Sequence, residues 1–364
     1  MIEKVIVRNF KSIKDLDLKL GNLNVLIGAN GVGKSNFISF FEMTKALYEQ
    51  RLGAYMLNKG GIDNILYRGR KVSDSIYGLI DFDNTNAFFY NIKPSQSNRG
   101  YIDFTGDCFN VYHTSDKNYS TWNKTQWDSA VEESSIIHNI SYRAKYLKKY
   151  LGGFVVYHFH DTSAISPMRG QSDINDNEYL RNNGSNLAAY LYKLQQTDIY
   201  AFRMIEQTIT SVAPYFKRFK LRPDPLVPNK ISLEWEEEGS EMYLNGYSFS
   251  DGTIRFIALA TLLLQSDLPE VIIIDEPELG LHPVAITKLA ALVRMASKKT
   301  QIILSTQSAS LVNNFECENI IVVDRAGSQT VFNHLDKDAL KVWLDEYEYT
   351  IADLWEKNII GGHL

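Results

Sequence analysis

Cysteine is scarce. Cys108 and Cys317 stand far apart among 364 residues, and neither has a CxxC partner. That excludes a disulfide framework and a structural zinc site, and both thiols are expected to be reduced. Long apolar runs are also missing: no segment offers the roughly 20 uninterrupted apolar residues of a membrane span. The N-terminal MIEKVIVRNFKS mixes acidic and basic residues early, unlike a secretory signal or an Arg-rich transit peptide. These absences predict a cytoplasmic chain with no membrane partner. Charge of one sign is lacking too. With 38 basic against 43 acidic residues the net is -5, so any nucleic-acid contact must come from a local patch. There is no repeat of about 20 to 50 residues, no low-complexity tract and no heptad run long enough for an extended coiled coil.

What is present is the balance of a globular protein, with 45% hydrophobic and 22% charged residues. The length allows one large α/β domain with insertions or two ordinary domains. Segments 2–8, 13–20 and 23–27 read as short strands, the last running into a Gly-rich loop. Over 36–48, Phe37, Phe40, Phe41 and Leu47 fall at helical spacing. Residues 74–113 read as an antiparallel meander, and 118–152 as polar and helical in the later half. A strand is expected at 154–159, one helical stretch at 186–212, and strands at 231–235 and 242–247. From 252 the order is helix to 264, strand 271–274, helix 283–297, and strands 302–304 and 319–323. Such alternation means a parallel sheet covered by helices.

The loop Gly28-Ala29-Asn30-Gly31-Val32-Gly33-Lys34-Ser35 matches GxxxxGKS, between an apolar strand and a helix that continues with Asn36. Glycines let successive N–H groups face phosphates, the helix start adds positive potential, Lys34 reaches the β- and γ-phosphates of ATP, and Ser35 holds Mg²⁺. A matching acidic element is the apolar strand ending Asp275-Glu276. Asp275 is the expected second metal residue, and Glu276 the group that orients or deprotonates the attacking water.

Ser248-Phe249-Ser250-Asp251-Gly252-Thr253 opens the helix that precedes the acidic strand. It resembles the signature motif of ABC-type ATPases in the Ser-Asp-Gly-Thr form of RecF/SMC-like and OLD-type proteins. Taken with NFKS at 9–12, DEPELGLHP at 275–283 and the closing LWEKNIIGG, the chain resembles the bacterial AAA-type, RecF-like ATPases. The resemblance covers most of the chain and is weak at about 85–150. It implies an α/β P-loop NTPase: an ABC-type ATPase head with a parallel core sheet, an antiparallel β-lobe, a helical lobe and no long coiled coil. The expected organisation is a single head over 1–364, with an N-terminal lobe at 1–117, a helical insert at 118–247 and the C-terminal core at 248–364.

The resemblance further implies that Ser250 and Gly252 of one subunit meet the γ-phosphate bound by another, so that ATP joins two heads. Residues 277–283 would correspond to the loop at that seam, with His282 beside it. Many ABC-class relatives place a switch histidine where this chain has Gln307. Glutamine can orient water or accept a hydrogen bond but cannot become a cation near neutral pH, so binding with slow hydrolysis is expected. The implied role is a regulator or sensor subunit of a DNA-related or anti-phage system whose effector is a separate polypeptide. A DNA-repair ATPase and a nucleotide-binding scaffold with negligible turnover are the alternatives. OLD-type proteins carry a TOPRIM nuclease domain after the ATPase, for which the remaining sequence leaves no room.

Three constellations stay outside this scheme. His158-Phe159-His160-Asp161 would put two imidazoles on one strand face, but no further ligands are identifiable, and a phosphate- or interface-facing loop is the preferred reading. Asp81-Phe82-Asp83 with Asn84 reads as a turn rather than a nuclease acid pair. Arg143, Lys145, Lys148 and Lys149, with Tyr146 and Tyr150 among them, are either a solvated helix face or a contact for DNA backbone.

Overall fold

The computed structural model describes residues 1–82, 86–109, 119 and 122–361. At its centre lies a six-stranded sheet, ordered Gln329–His334, Ile320–Ala326, Leu23–Ile27, Gln301–Thr306, Val271–Asp275, Phe154–Tyr157. Only the first pair is antiparallel. Parallel strands are covered on both faces, which is why Val271-Ile-Ile-Ile carries no polar alternation.

The period of two still divides the molecule into layers. Val25, Ile27, Ile272, Ile274, Ile302 and Leu304 face one core, shared with the helices Asp251–Leu264 and Pro283–Ala296. Leu26, Val271, Ile273, Ile303, Ile321 and Val323 face the other, packed on Phe37, Phe40 and Phe41 of the helix Lys34–Tyr48. That second core is closed by an antiparallel sheet ordered Ile13–Lys19, Ile2–Phe10, Ile76–Phe82, Asn86–Pro94, Gly100–Phe109, Asn123–Val131.

Several expectations change here. The strand Asn123–Val131 lies where the sequence reads as polar chain; as an edge strand it buries only Asp128, so it carries no apolar alternation. The single helical stretch at 186–212 is two helices, Leu187–Thr197 and Ile199–Thr210, broken at Asp198 (φ -146°, ψ 70°). Asp198 caps the second helix by accepting from Ala201 N at 3.0 Å, the local bond that makes aspartate a helix breaker. The strand expected at 231–235 splits between two small sheets, Lys230–Ile231 pairing with Ser172–Asp173 and Glu234–Glu237 lying between Phe216–Phe219 and Tyr243–Asn245. The segment at 154–159 leaves the sheet after Tyr157, so His158 and His160 lie beyond the strand rather than on its face. Asp81 is buried inside its strand and accepts from Tyr119 Oη at 2.9 Å, whereas Asp83 and Asn84 lie outside the described residues.

The longest helix described, Lys34–Tyr48, has 15 residues, and no helix among the described residues is long and apolar enough to cross a membrane. Ile273 is fully buried in the central sheet. Ile273→Ala is expected to lower stability by about 3 kcal/mol through lost burial and a residual cavity, read as a reduced urea midpoint.

Candidate nucleotide site

Where the strand Leu23–Ile27 ends, the chain turns through residues 28–33 into its helix. Gly33 sits at φ 120°, and a Cβ there would lie 2.3 Å from Thr330 Oγ1, so only glycine lets the loop pass. Thr330 is also the brace. Its hydroxyl donates to Val32 O at 2.6 Å, leaving Oγ1 to accept from Ser12 Oγ at 2.7 Å, and Ser12 Oγ accepts from Asn36 Nδ2 at 2.7 Å. This relay ties the NFKS segment and the first helical turn to the hairpin at the sheet edge.

Gly33 provides no side-chain cap, so the first amides of the helix have no side-chain acceptor. Gly28 is buried, Ala29 half-buried, and Asn30, Gly31 and Ser35 are exposed. Lys34 is only 5% exposed and donates to Gly28 O at 2.6 Å and Ala29 O at 3.0 Å. Burial pulls its pKa below the usual lysine value, while Glu276, Asp275 and Glu278 pull it back up. The ammonium therefore lies within electrostatic reach of three carboxylates.

Those carboxylates are held by one neighbouring strand. Gln301–Thr306 runs in parallel register with Val271–Asp275, pairing Asp275 with Ser305. Ser305 Oγ donates to Asp275, Gln307 Nε2 to Glu276, and Thr306 Oγ1 to Glu278 Oε1 at 2.5 Å. Gln307 N adds a bond to Glu278 at 3.1 Å. Glu276 occupies the left-handed region at φ 41°, a conformation costly for a residue with a side chain and common where function requires it. Its amide is fixed to Ser305 O at 3.0 Å. Burial and then Asp275 raise the Glu276 pKa, and Lys34 opposes them.

The helix Asp251–Leu264 carries the third group. Ser250 is its N-cap, accepting from Thr253 N at 3.1 Å, and remains exposed. A Cβ on Gly252 would lie 2.3 Å from Gly280 O, so glycine lets this helix start press on the loop after Glu278. Arg169 clamps the approach, donating to Thr162 O at 3.0 Å, Gly246 O at 2.9 Å, Phe249 O at 2.7 Å and Asp251 Oδ1 at 2.7 Å. Arg255 ties the same helix to Phe159 O and His160 O, both at 2.9 Å. Among the described residues no hydrogen bond or ion pair joins Ser250 or Gly252 to residues 28–36 of the same chain.

Thr330, Glu278, Ser305, Thr306, Arg169 and Arg255 are absent from the sequence-based set. Glu278 and the Ser305-Thr306 pair adjoin residues already singled out, whereas nothing local marks Thr330 or Arg169.

The remaining candidates separate. His158 donates or accepts at Glu42 Oε1 over 2.9 Å, and Lys59 lies 3.4 Å from the other Glu42 oxygen. Burial lowers the His160 pKa and Asp275 opposes, so that ring lies within electrostatic reach of Asp275. Arg143 is paired with Asp107 at 3.0 Å and stacked over Phe109, and Lys149 is paired with Glu270 at 3.0 Å, so two of the four cations are already engaged.

A helix start without a side-chain cap, a buried ammonium bonded to two loop carbonyls, an exposed serine hydroxyl and an aspartate on the neighbouring acidic strand fit a nucleotide phosphate with Mg²⁺. A family model described as "AAA domain, putative AbiEii toxin, Type IV TA system" matches residues 23–313. The chain belongs to this AAA-domain family. An OLD nuclease from Thermus scotoductus is 24% identical over 352 residues, covering 89% of this AAA-domain chain and 62% of the relative, so the chain spans less than two thirds of that protein. Among solved structures, an SMC head bound to the C-terminal winged-helix domain of ScpA superposes with a TM-score of 0.62 at 16% identity, over 93% of this chain and 99% of that one. A Pyrococcus furiosus SMC head with an extended coiled coil, bound to the C-terminal domain of ScpA, gives 0.55 at 16%, over 96% and 99%. The AAA-domain fold is thus that of an ABC-type, SMC-like ATPase head.

Lys34→Ala keeps the loop backbone but removes its cation. Nucleotide affinity is expected to fall by about 10- to 100-fold, the worth of a charge-assisted bond. Calorimetry with a non-hydrolysable ATP analogue reads this, and unchanged affinity would remove the phosphate loop from the site.

Proposed function

We propose that this chain hydrolyses ATP with Mg²⁺ and that the nucleotide joins two heads. The observation that carries the reading is one incomplete site: Lys34 lies within electrostatic reach of Glu276, while among the described residues the exposed helix start at Ser250 has no bond to the phosphate loop of its own chain. Lys34 and the loop amides bind the β- and γ-phosphates; Ser35 and Asp275 would hold Mg²⁺, which supplies charge neutralisation on those oxygens. Glu276 orients and deprotonates water, its raised pKa making it a better base than an ordinary carboxylate. Gln307 donates to that same carboxylate, fixing its direction but lowering its basicity below that of an unbonded acid, which supports slow turnover and keeps a nucleotide-binding scaffold as the second reading.

Ser250 and Gly252 of a second copy complete the site from outside. Exposed Leu279 and Val284, beside His282 at the start of the next helix, give that face apolar area for a matching surface. Because a helix N-terminus grips the terminal phosphate only while it is attached, the assembly lasts as long as ATP does. The biological role that suits such a head is a regulator or sensor subunit of a DNA-related or anti-phage defence system, working on a separately encoded effector and on DNA. The named OLD nuclease relative supports that direction.

Glu276→Gln should lower kcat by about 10²-fold or more while leaving ATP affinity close to parental. With ATP and Mg²⁺ the variant should accumulate as a dimer or higher assembly in light scattering, and adding Ser250→Arg should abolish it. A mass that ignores ATP in both proteins would contradict the trans site while sparing the ATP site.

A further inference from the structure

Glu278 is a buried carboxylate to which the reading above gives no role. It is 7% exposed, forms no ion pair among the described residues, and its Oε2 is buried without a hydrogen-bond partner among them. Burying a carboxylate in this way is unfavourable, so its bonds must do something an apolar side chain could not. Both go to the turn that presents Gln307: Oε1 accepts from Thr306 Oγ1 at 2.5 Å and from Gln307 N at 3.1 Å. Thr306 Oγ1 in turn accepts from Ser308 N at 3.0 Å, so one carboxylate oxygen fixes three successive residues. Gln307 then reaches forward with Nε2 to Glu276.

We propose that Glu278 is a positioning residue for hydrolysis, acting through Gln307 to set the direction of the Glu276 carboxylate; this rests on the hydrolytic reading above. Removing Glu278 takes the acceptor from the half-buried Gln307 amide N–H and from the buried Thr306 hydroxyl. The turn relaxes, the Gln307 side chain moves away from Glu276, and the water loses its base geometry. Binding is spared, because among the described residues no hydrogen bond joins Glu278 to the phosphate loop, and Lys34 keeps its bonds to Gly28 O and Ala29 O when the more distant charge is lost.

The test is phosphate release and analogue affinity for the parent, Glu278→Gln, Glu278→Ala, Gln307→Ala and the Glu278→Ala/Gln307→Ala pair. Glu278→Ala should lose about tenfold or more in kcat with affinity within about threefold, since small misplacement of a catalytic group costs rate rather than binding. Glu278→Gln should stay within about threefold of the parent, because an amide oxygen accepts both bonds. The pair should be no more than about twofold slower than Gln307→Ala alone, the non-additivity of residues that act as a unit. Parental kcat in Glu278→Ala, losses that multiply in the pair, or affinity falling as far as rate would each overturn the proposal. If Glu278→Ala does not fold, Thr306→Val removes one of the same bonds and should show the same split; parental kcat there would overturn it equally. A parent that releases no phosphate would overturn the hydrolytic reading and this inference with it.

Discussion

The site depends on one strand placed between two others. Gln301–Thr306 lies between the strand that ends in the phosphate loop and the strand that ends in Asp275, and it is hydrogen-bonded to both. Its last two residues and Gln307 each hold one of the three acids that follow. Three carboxylates crowded together repel one another, and Lys34 alone does not offset that repulsion, so hydrogen bonds to the charged oxygens make the arrangement tolerable. Loosening this strand end would scatter the acids before it disturbed the loop. Binding and chemistry are therefore supported by different parts: the Thr330 relay holds the loop, and the Ser305 to Gln307 run holds the acids.

The two halves of the site also differ in what they lack. The phosphate loop is braced by Thr330 and the acids by the Ser305 to Gln307 run, while the helix at Ser250 is firmly anchored from behind by Arg169 and Arg255 and presents its capping serine to solvent. An anchored, exposed helix start is preorganised for an anion, and the anchoring spends none of its forward-facing groups. Gly252 against Gly280 brings the same helix onto the loop that follows Glu278. A change at the acids therefore has a short covalent and packed route to the surface proposed to receive a second copy.

Much of this could be read from the chain because the features are local. GxxxxGKS, an apolar strand ending in two acids, and a Ser-Asp-Gly-Thr helix start each declare themselves within about ten residues. The parallel α/β sheet followed from the alternation of elements and the head class from the family resemblance, and both describe the fold. What stayed hidden was either long-range or masked by solvent. Thr330 reaches Val32 across almost the whole chain, and Arg169 reaches Asp251 from a polar loop with no periodicity. Asn123–Val131 is an edge strand with too little apolar surface to show a period, and Asp198 breaks a helix whose apolar pattern runs straight through it. Arg143 and Lys149 looked like part of one basic run, yet each is drawn to its own acid.

The central claim is that one ATP site is completed by a second copy of the chain. Phosphate release per molecule, measured with saturating ATP and Mg²⁺ across a wide range of protein concentration, tests it most directly. A site completed in trans requires specific activity to be near zero when dilute, to rise with concentration, and to level off once the heads are paired. Specific activity that stays constant from the most dilute sample upward, in protein that remains monomeric, would contradict it.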